Sequence, residues 1–383
     1  MKHTKNSRHR NSPFYRKDQH GSPVTFMAHY TAIFMKTFFA LFPLLVSCMV
    51  FAQTAPAKLP SSPIGVMVDS KDNLIVNCYN NRVLKITPDG KPSFISEDLQ
   101  KGISRPPWPK GGAMTIDTAD NLCFTDGSLI WKLSPANVMT QYFGIPFSTK
   151  RVDGPEGVGS FRSIEYMKAC RDGSIVVVER DDTNKDNLGD YYVIRRISPD
   201  KMLTTITDTR NNPLLKTRWI SGIGVDSVGN IYLSDGAGRC VKKLSKDGSI
   251  TTLAGLCNKR EFSPLYIQGD IAKAELMSPE DIVINKKGDV IFADLRLNRI
   301  IKIADKKVTT IAGNSVIQPN NVNMGGRSKE GYKDGKALTA LFGFPPKVAI
   351  AIDSKGTIYI LDGGNNCIRK LSVDGMVSTV AKG

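Results

Sequence analysis

One short unit recurs along this chain, and its recurrence constrains the fold more than any other feature. The clearest copy is the last, residues 347–382 (KVAIAIDSKGTIYILDGGNNCIRKLSVDGMVSTVAK). Val348, Ile350 and Ile352 alternate with Ala349, Ala351 and Asp353, which is the two-residue period of a strand. Ser354-Lys355-Gly356 is a turn, and residues 357–361 (TIYIL) form a second strand of β-branched and aromatic residues. A loop at 362–366 precedes a third strand at 367–372. Asp374-Gly375 then makes a hairpin turn, because glycine accepts a positive φ, and 376–381 is the fourth strand. The same order of segments begins at Ile64, Met114, Ser174, Ile223 and Ile282, with turns at Asp89-Gly90 and Asp247-Gly248, so there are six copies. A unit this small cannot bury both faces of its own sheet, so the copies must cover one another.

The copies share a detailed pattern. It has a Pro-x-Gly lead, an alternating strand ending in Asp, a Gly-Asn turn, an Ile/Val-Tyr strand ending in a second Asp, and an Asn-Arg-Ile/Val strand; copies four to six follow it best. Asp153-Gly154 ahead of Phe161, and Asp334-Gly335 ahead of Ala340, Phe342 and Pro345, match the lead-ins of such copies. Residues 63–383 thereby resemble the NHL repeat. The resemblance implies an all-β fold, a six-bladed β-propeller of four-stranded antiparallel blades. In it the first strand of each blade lines the central channel and the fourth is outermost. The first and last copies each supply four strands, so closure is expected to need no borrowed N-terminal strand. NHL propellers bind proteins, nucleic acid or small molecules, and some are enzymes, so the resemblance leaves the chemistry open.

The chain ahead of the repeats reads as three pieces. Residues 1–34 are basic, polar and aperiodic and hold all four histidines, His3, His9, His20 and His29. They read as a disordered leader or a start assigned too far upstream; a basic arm for nucleic acid is a weaker reading. Residues 35–52 have the parts of a signal peptide: Lys36, an apolar run from Thr37 to Phe51, and the small residue Ala52 before Gln53. Leu45-Val46-Ser47-Cys48 offers a rival lipoprotein cut with Cys48 lipidated, although Met49-Val50-Phe51 continues the apolar run; an uncleaved anchor is the third alternative. Residues 53–62 read as a Pro/Ala-rich linker. The expected product is periplasmic or secreted, with no membrane span in the mature chain.

That mature chain has no histidine, which excludes Ser-His-Asp triads, His-based acid–base catalysis and His-bound zinc. It also argues against the peptide-amidating lyase type of NHL propeller, which uses such zinc. Of 52 basic and 36 acidic residues, seven and one lie in 1–52, leaving a mature net charge of +10. Many of the lysines fall on outer strands, and no basic run is interleaved with aromatics, so nucleic acid is not an expected partner. Among the six remaining cysteines no CxxC spacing occurs; Cys240 and Cys257 flank one hairpin and form a candidate disulfide in an exporting compartment.

Propeller geometry sends the loops between blades, and those between second and third strands, to one face. Here those loops are long (97–110, 144–160, 180–192, 208–218, 256–273 and 314–341), whereas the opposite turns are minimal. The loop-rich face is therefore the expected binding face for a protein, glycan or small molecule. Asp126, Glu179, Asp235, Asp294 and Asp362 end the second strand in five copies. They read as loop-fixing groups that accept main-chain N–H bonds, rather than as a cation-binding ring. Glu165, Glu280 and Asp281 depart from the repeat where a first strand begins, which makes them better site candidates. Trp108 and Trp219 precede first strands, placed either to stack on a ligand or to pack between blades. The reading is a non-catalytic binding or scaffold module without cofactor. The alternative is a calcium-dependent lactonase or esterase, resembling the gluconolactonase-like propellers, that would need carboxylate and amide ligands at the channel mouth. Export predicts a product beginning at Gln53. Intact mass or N-terminal sequencing of protein from its host checks this, and a chain retaining Met35 or starting at a lipidated Cys48 contradicts it.

Overall fold

Each repeat closes into an antiparallel sheet whose strand order follows the chain. The computed structural model describes residues 55–99, 113–181, 191–215, 217, 219–257, 266–314 and 330–383. Residues 1–54, which include the stretches read as leader and signal peptide, and Trp108 lie outside these, as do large parts of four of the long loops. The first strands are Pro63–Val68, Met114–Ile116, Ile164–Ala169, Ile220–Val225, Pro279–Ile284 and Val348–Ile352. Each touches the first strand of the next blade, and the sixth touches the first, which completes a six-bladed propeller ring.

Burial follows from this arrangement. Second strands such as Leu74–Cys78 and Val290–Asp294 are buried along their whole length, because a neighbouring blade covers each face. Outermost strands such as Ile250–Gly255 are largely uncovered and carry threonine and polar residues. The core is accordingly split among blade interfaces. Val178, Tyr192 and Ile194 of the third blade meet Ile223 and Leu233 of the fourth, and Val76 and Leu84 of the first meet Leu361 and Ile368 of the sixth.

Closure is both apolar and polar. The Ser354 N–H and hydroxyl in the sixth blade donate to the Asp72 carboxylate in the first, at 2.8 and 2.7 Å. Ser70 donates in the same way to Asp120 of the second blade, at 2.8 and 2.6 Å. Asp72 and Asp120 both hold φ at 61°, at turn positions where the fourth, fifth and sixth blades have Gly229, Gly288 and Gly356. A left-handed non-glycine residue is disfavoured; here the hydrogen bonds across the blade boundary offset that cost. One expectation is corrected. The first and last blades do own four strands each, but Ala57–Lys58 adds a further, parallel strand to Met376–Lys382. Leu59 N–H continues the pairing to Lys382 O at 2.8 Å. Part of the stretch read as linker therefore belongs to the sheet.

The described parts of three long loops include short rim segments. Gly154–Pro155, Gly269–Asp270 and Gly335–Lys336 run outward and pair with the outermost strand of the blade that follows each. An uncovered edge strand invites pairing with other chains, and these segments cover it. In the third and sixth blades a fully buried arginine anchors the loop. Arg369 donates to Asp334 of the loop, to the Leu341 and Lys333 carbonyls, and to Asp362 at 2.9 Å. Arg195 does the same with Asp153, the Ser160 and Val152 carbonyls, and Glu179 at 2.6 Å. The fifth blade has Gln268 in place of the loop aspartate and Ile301 at the arginine's register, so both members of the pair change together. Removing one partner of a buried ion pair leaves an uncompensated charge and costs about 3–5 kcal/mol. Arg369→Ile should lower unfolding stability by about that amount in urea melts, and Asp334→Gln added to it should recover part of the loss by reproducing the fifth blade's neutral pair.

Candidate binding cavity on the channel axis

Where first strands begin, the repeat is interrupted. Register shifts lie between Pro63 and Gly65, Ile164 and Tyr166, Ile220 and Gly222, and Pro279 and Ile282. A bulge re-aims the extra side chain. The extra residues are Ile64, Glu165, Ser221 and the pair Glu280-Asp281, and all of them line one cavity of about 680 Å³. Residues from all six blades wall it. Arg180, Trp219, Leu295 and Lys347, at strand ends on the loop-rich face, surround its mouth.

Glu165 and Arg180 face each other across the third blade, Nη1 donating to Oε1 at 3.4 Å. The Arg180 guanidinium lies 5.8 Å from the centroid of Trp219, whose side chain is 45% exposed and so does not sit packed between blades. The main chain of Trp219 is held by the fourth blade's repeat carboxylate, its N–H donating to Asp235 Oδ1 at 3.3 Å.

Glu280 is the most perturbed acid of the wall. Burial pushes its carboxyl up to about 8; the charges of Asp294 and Asp281 add to this, while the Ser278 hydroxyl opposes it. At neutral pH it therefore carries a proton and can both donate and accept. Asp281 is spent on structure: Oδ2 accepts the Ile350 N–H of the sixth blade at 2.9 Å, and Oδ1 accepts the Ile282 N–H at 3.0 Å. Burial lowers the Lys347 ammonium, with the Asp281 charge acting against it. Tyr166 is raised well above its ordinary value by burial and by Glu165, Glu280 and Asp281.

The fifth blade's inner strand lies close against the fourth's, because the fourth blade's inner strand is thin there. A Cβ on Gly222 would lie 2.6 Å from the Glu280 carbonyl oxygen and 2.8 Å from Asp281 Cα, so only glycine permits this approach. Ser221 donates to Pro279 O at 2.6 Å, and Ser234 donates to Glu280 O.

The five repeat carboxylates all lie buried away from this cavity. Asp126 accepts from Ser128 N–H, Leu129 N–H and the Trp131 indole. Asp294 accepts from Met277, Ser278 and Leu297 N–H, Asp235 also from Gly238 N–H, and Glu179 and Asp362 hold the buried arginines. Cys240 and Cys257 are bonded to each other. Among the described residues no group of three or more His, Cys, Asp or Glu is arranged to hold a metal. Arg180, Tyr166, Lys347 and Asn77 were not singled out from sequence. Asn77 was findable by the criterion used for Glu280, since the first copy departs from the repeat at Asn77-Cys78.

The chain matches no protein-family profile. It is 30% identical over 168 residues to teneurin-3 of Danio rerio and 28% identical over 165 residues to teneurin-3 of Mus musculus. Each match takes in 42% of this chain but spans 6% of the teneurin. Among solved structures, a protein of unknown function from Bacteroides thetaiotaomicron superposes with a TM-score of 0.57 at 16% identity, over 83% of this chain and 70% of that one. An auxiliary nutrient binding protein from the same organism gives 0.56 at 16%, over 83% and 69%. A gluconolactonase from Xanthomonas campestris gives 0.50 at 12%, over 85% and 87%. At these identities the likeness is one of fold. No helix among the described residues is long and apolar enough to cross a membrane.

Glu280 gives this cavity a pH signature. Its folded value is raised above the ordinary 4.5, so the folded state holds a proton that the unfolded chain has already lost. The resulting stabilisation is full below the unfolded value and is lost as pH rises toward about 8. Glu280→Gln keeps the neutral form at every pH. The stability difference in its favour should grow from about pH 5 to pH 8, by at most about 1.4 kcal/mol per pH unit, and then level off. Parallel chemical melts of the two proteins across this range check it.

Proposed function

We propose that this chain is an exported, NHL-type propeller that works as a non-catalytic binding module and takes its ligand into the axial cavity. The observation that carries this reading is the mouth itself. An ion pair, a half-exposed indole and a neutral carboxyl converge there on a concavity walled by six blades, the combination of apolar surface and few polar groups expected of a ligand site. The NHL assignment is supported by the six copies and by the Asp-Gly lead-ins, and export by the segment 35–52. A nutrient-binding protein with the same fold accords with this use of the scaffold.

The second reading is a calcium-dependent lactonase, favoured by the acids at the mouth and by the gluconolactonase of the same fold. It needs a hard cation held by several oxygens to polarise the carbonyl and activate water. Against it, both Asp281 oxygens accept main-chain N–H bonds and Glu280 keeps its proton at neutral pH. Calcium binding the folded state alone would stabilise it by about 2.7 kcal/mol at a hundredfold excess over Kd. The expected result is that neither calcium nor a chelator moves the melting transition. A clear rise with calcium that Glu165→Gln or Glu280→Gln abolishes would favour the hydrolase.

A further inference from the structure

We infer that the axial cavity takes a neutral, hydroxyl-rich small molecule, a mono- or disaccharide, with Asn77 and Glu280 as polar contacts and Trp219 as the stacking surface. This rests on the binding-module reading and names its ligand class.

The first observation is Asn77. Its side chain is in the cavity wall and only 4% exposed, and its Oδ1 has no hydrogen-bond partner among the described residues. Buried side-chain amides are nearly always satisfied, because an orphan amide loses water and gains nothing. Its strand partner is Gly65, where a side chain would pack against it; an added Cβ would lie 3.6 Å from the Asn77 Cβ. Both residues line the cavity, and with no side chain at Gly65 only the Asn77 Cβ lies within 4 Å of that position, which leaves room for a ligand group beside the buried amide. At the same register the second and fourth blades have Thr125 and Ser234, whose hydroxyls are satisfied by the Leu129 and Glu280 carbonyls. Asn77 differs from them in that its oxygen is left without a partner among the described residues.

The second observation is the balance of charge. Glu165 is matched by Arg180, and Asp281 by main-chain N–H groups and the Lys347 charge. Glu280 is neutral at pH 7. A fixed ionic ligand would have to displace these pairings, whereas hydroxyl groups can donate to the Asn77 oxygen and exchange both roles with a protonated carboxyl. Lys168 also lines the cavity, farther along the third blade's first strand, so an anionic sugar is the proper rival. The third observation is the rim. Trp219 offers an exposed ring fixed through its backbone, and the C–H face of a pyranose packs on such a surface. A volume of about 680 Å³ suits one or two sugar rings.

Calorimetric titration of the full chain with glucose, galactose, lactose and cellobiose tests this, with glucuronate and lysine as anionic and cationic probes. At least one neutral sugar should bind, and Trp219→Ala and Asn77→Leu should each weaken it roughly tenfold or more. Asn77→Leu should at the same time raise the melting temperature of the sugar-free protein, since it removes an unsatisfied amide. Glu280→Gln should keep the affinity at pH 7 and hold it at pH 9, where the natural protein loses it. Binding of glucuronate or lysine without any neutral sugar overturns the ligand class and leaves the binding module standing. Failure of every probe to bind overturns both. A lower melting temperature for Asn77→Leu would make Asn77 a structural residue and remove the amide contact.

Discussion

A twisted four-stranded sheet has two apolar faces and two open edges, and no single repeat of this chain can hide them. The ring solves the faces: each blade lies between two others, so second strands become continuous apolar runs while outer strands stay mixed. Everything else follows from what the ring leaves uncovered. Inner edges converge on the axis and outer edges face solvent. The protein treats the two differently, and its chemistry lies in that difference.

At the outer edges the chain spends loop length on cover. The Asp-Gly lead-ins lie along the rim, pinned in two blades by a fully buried arginine that pairs with one buried and one partly exposed acid. Such a cluster is tolerable because every N–H of the guanidinium faces an oxygen, so desolvation is met by charge-assisted bonds. The fifth blade keeps the loop and drops the charges. There Asp294 accepts main-chain N–H bonds instead of an arginine side chain, and burial pushes it up, as it also does Asp362 beside Arg369.

At the inner edges the same backbone is bent instead of covered. Bulges at the start of four first strands turn Ile64, Glu165, Ser221 and Glu280 into the channel, and Gly222 lets the fifth blade's main chain come close to the fourth's. The cavity is thus a consequence of small departures from a repeat that is otherwise rigidly packed. Its polar groups share one environment, half-shielded from water, in which a carboxyl stays neutral and an amide goes without a partner.

The sequence by itself determined the number of blades, the four strands in each, and the loop-fixing chemistry open to the second-strand acids. These are local: a two-residue period, a turn glycine and a repeated Asp act within a few residues of one another. It also placed Glu165, Glu280 and Trp219 near the mouth, because register within a repeat fixes which end of a strand faces which side. Only the tertiary structure decided that Asp281 belongs to the neighbouring blade's main chain, that Ala57–Lys58 joins the last sheet, and that short segments of three long loops pair with outermost strands at the rim. Nor could Asn77 be known as unpartnered until Gly65 was seen opposite it. All but the last of these depend on contacts between residues far apart in the chain. Periodicity reports which face of a strand a side chain occupies; which atom waits across the gap is fixed only when the ring closes.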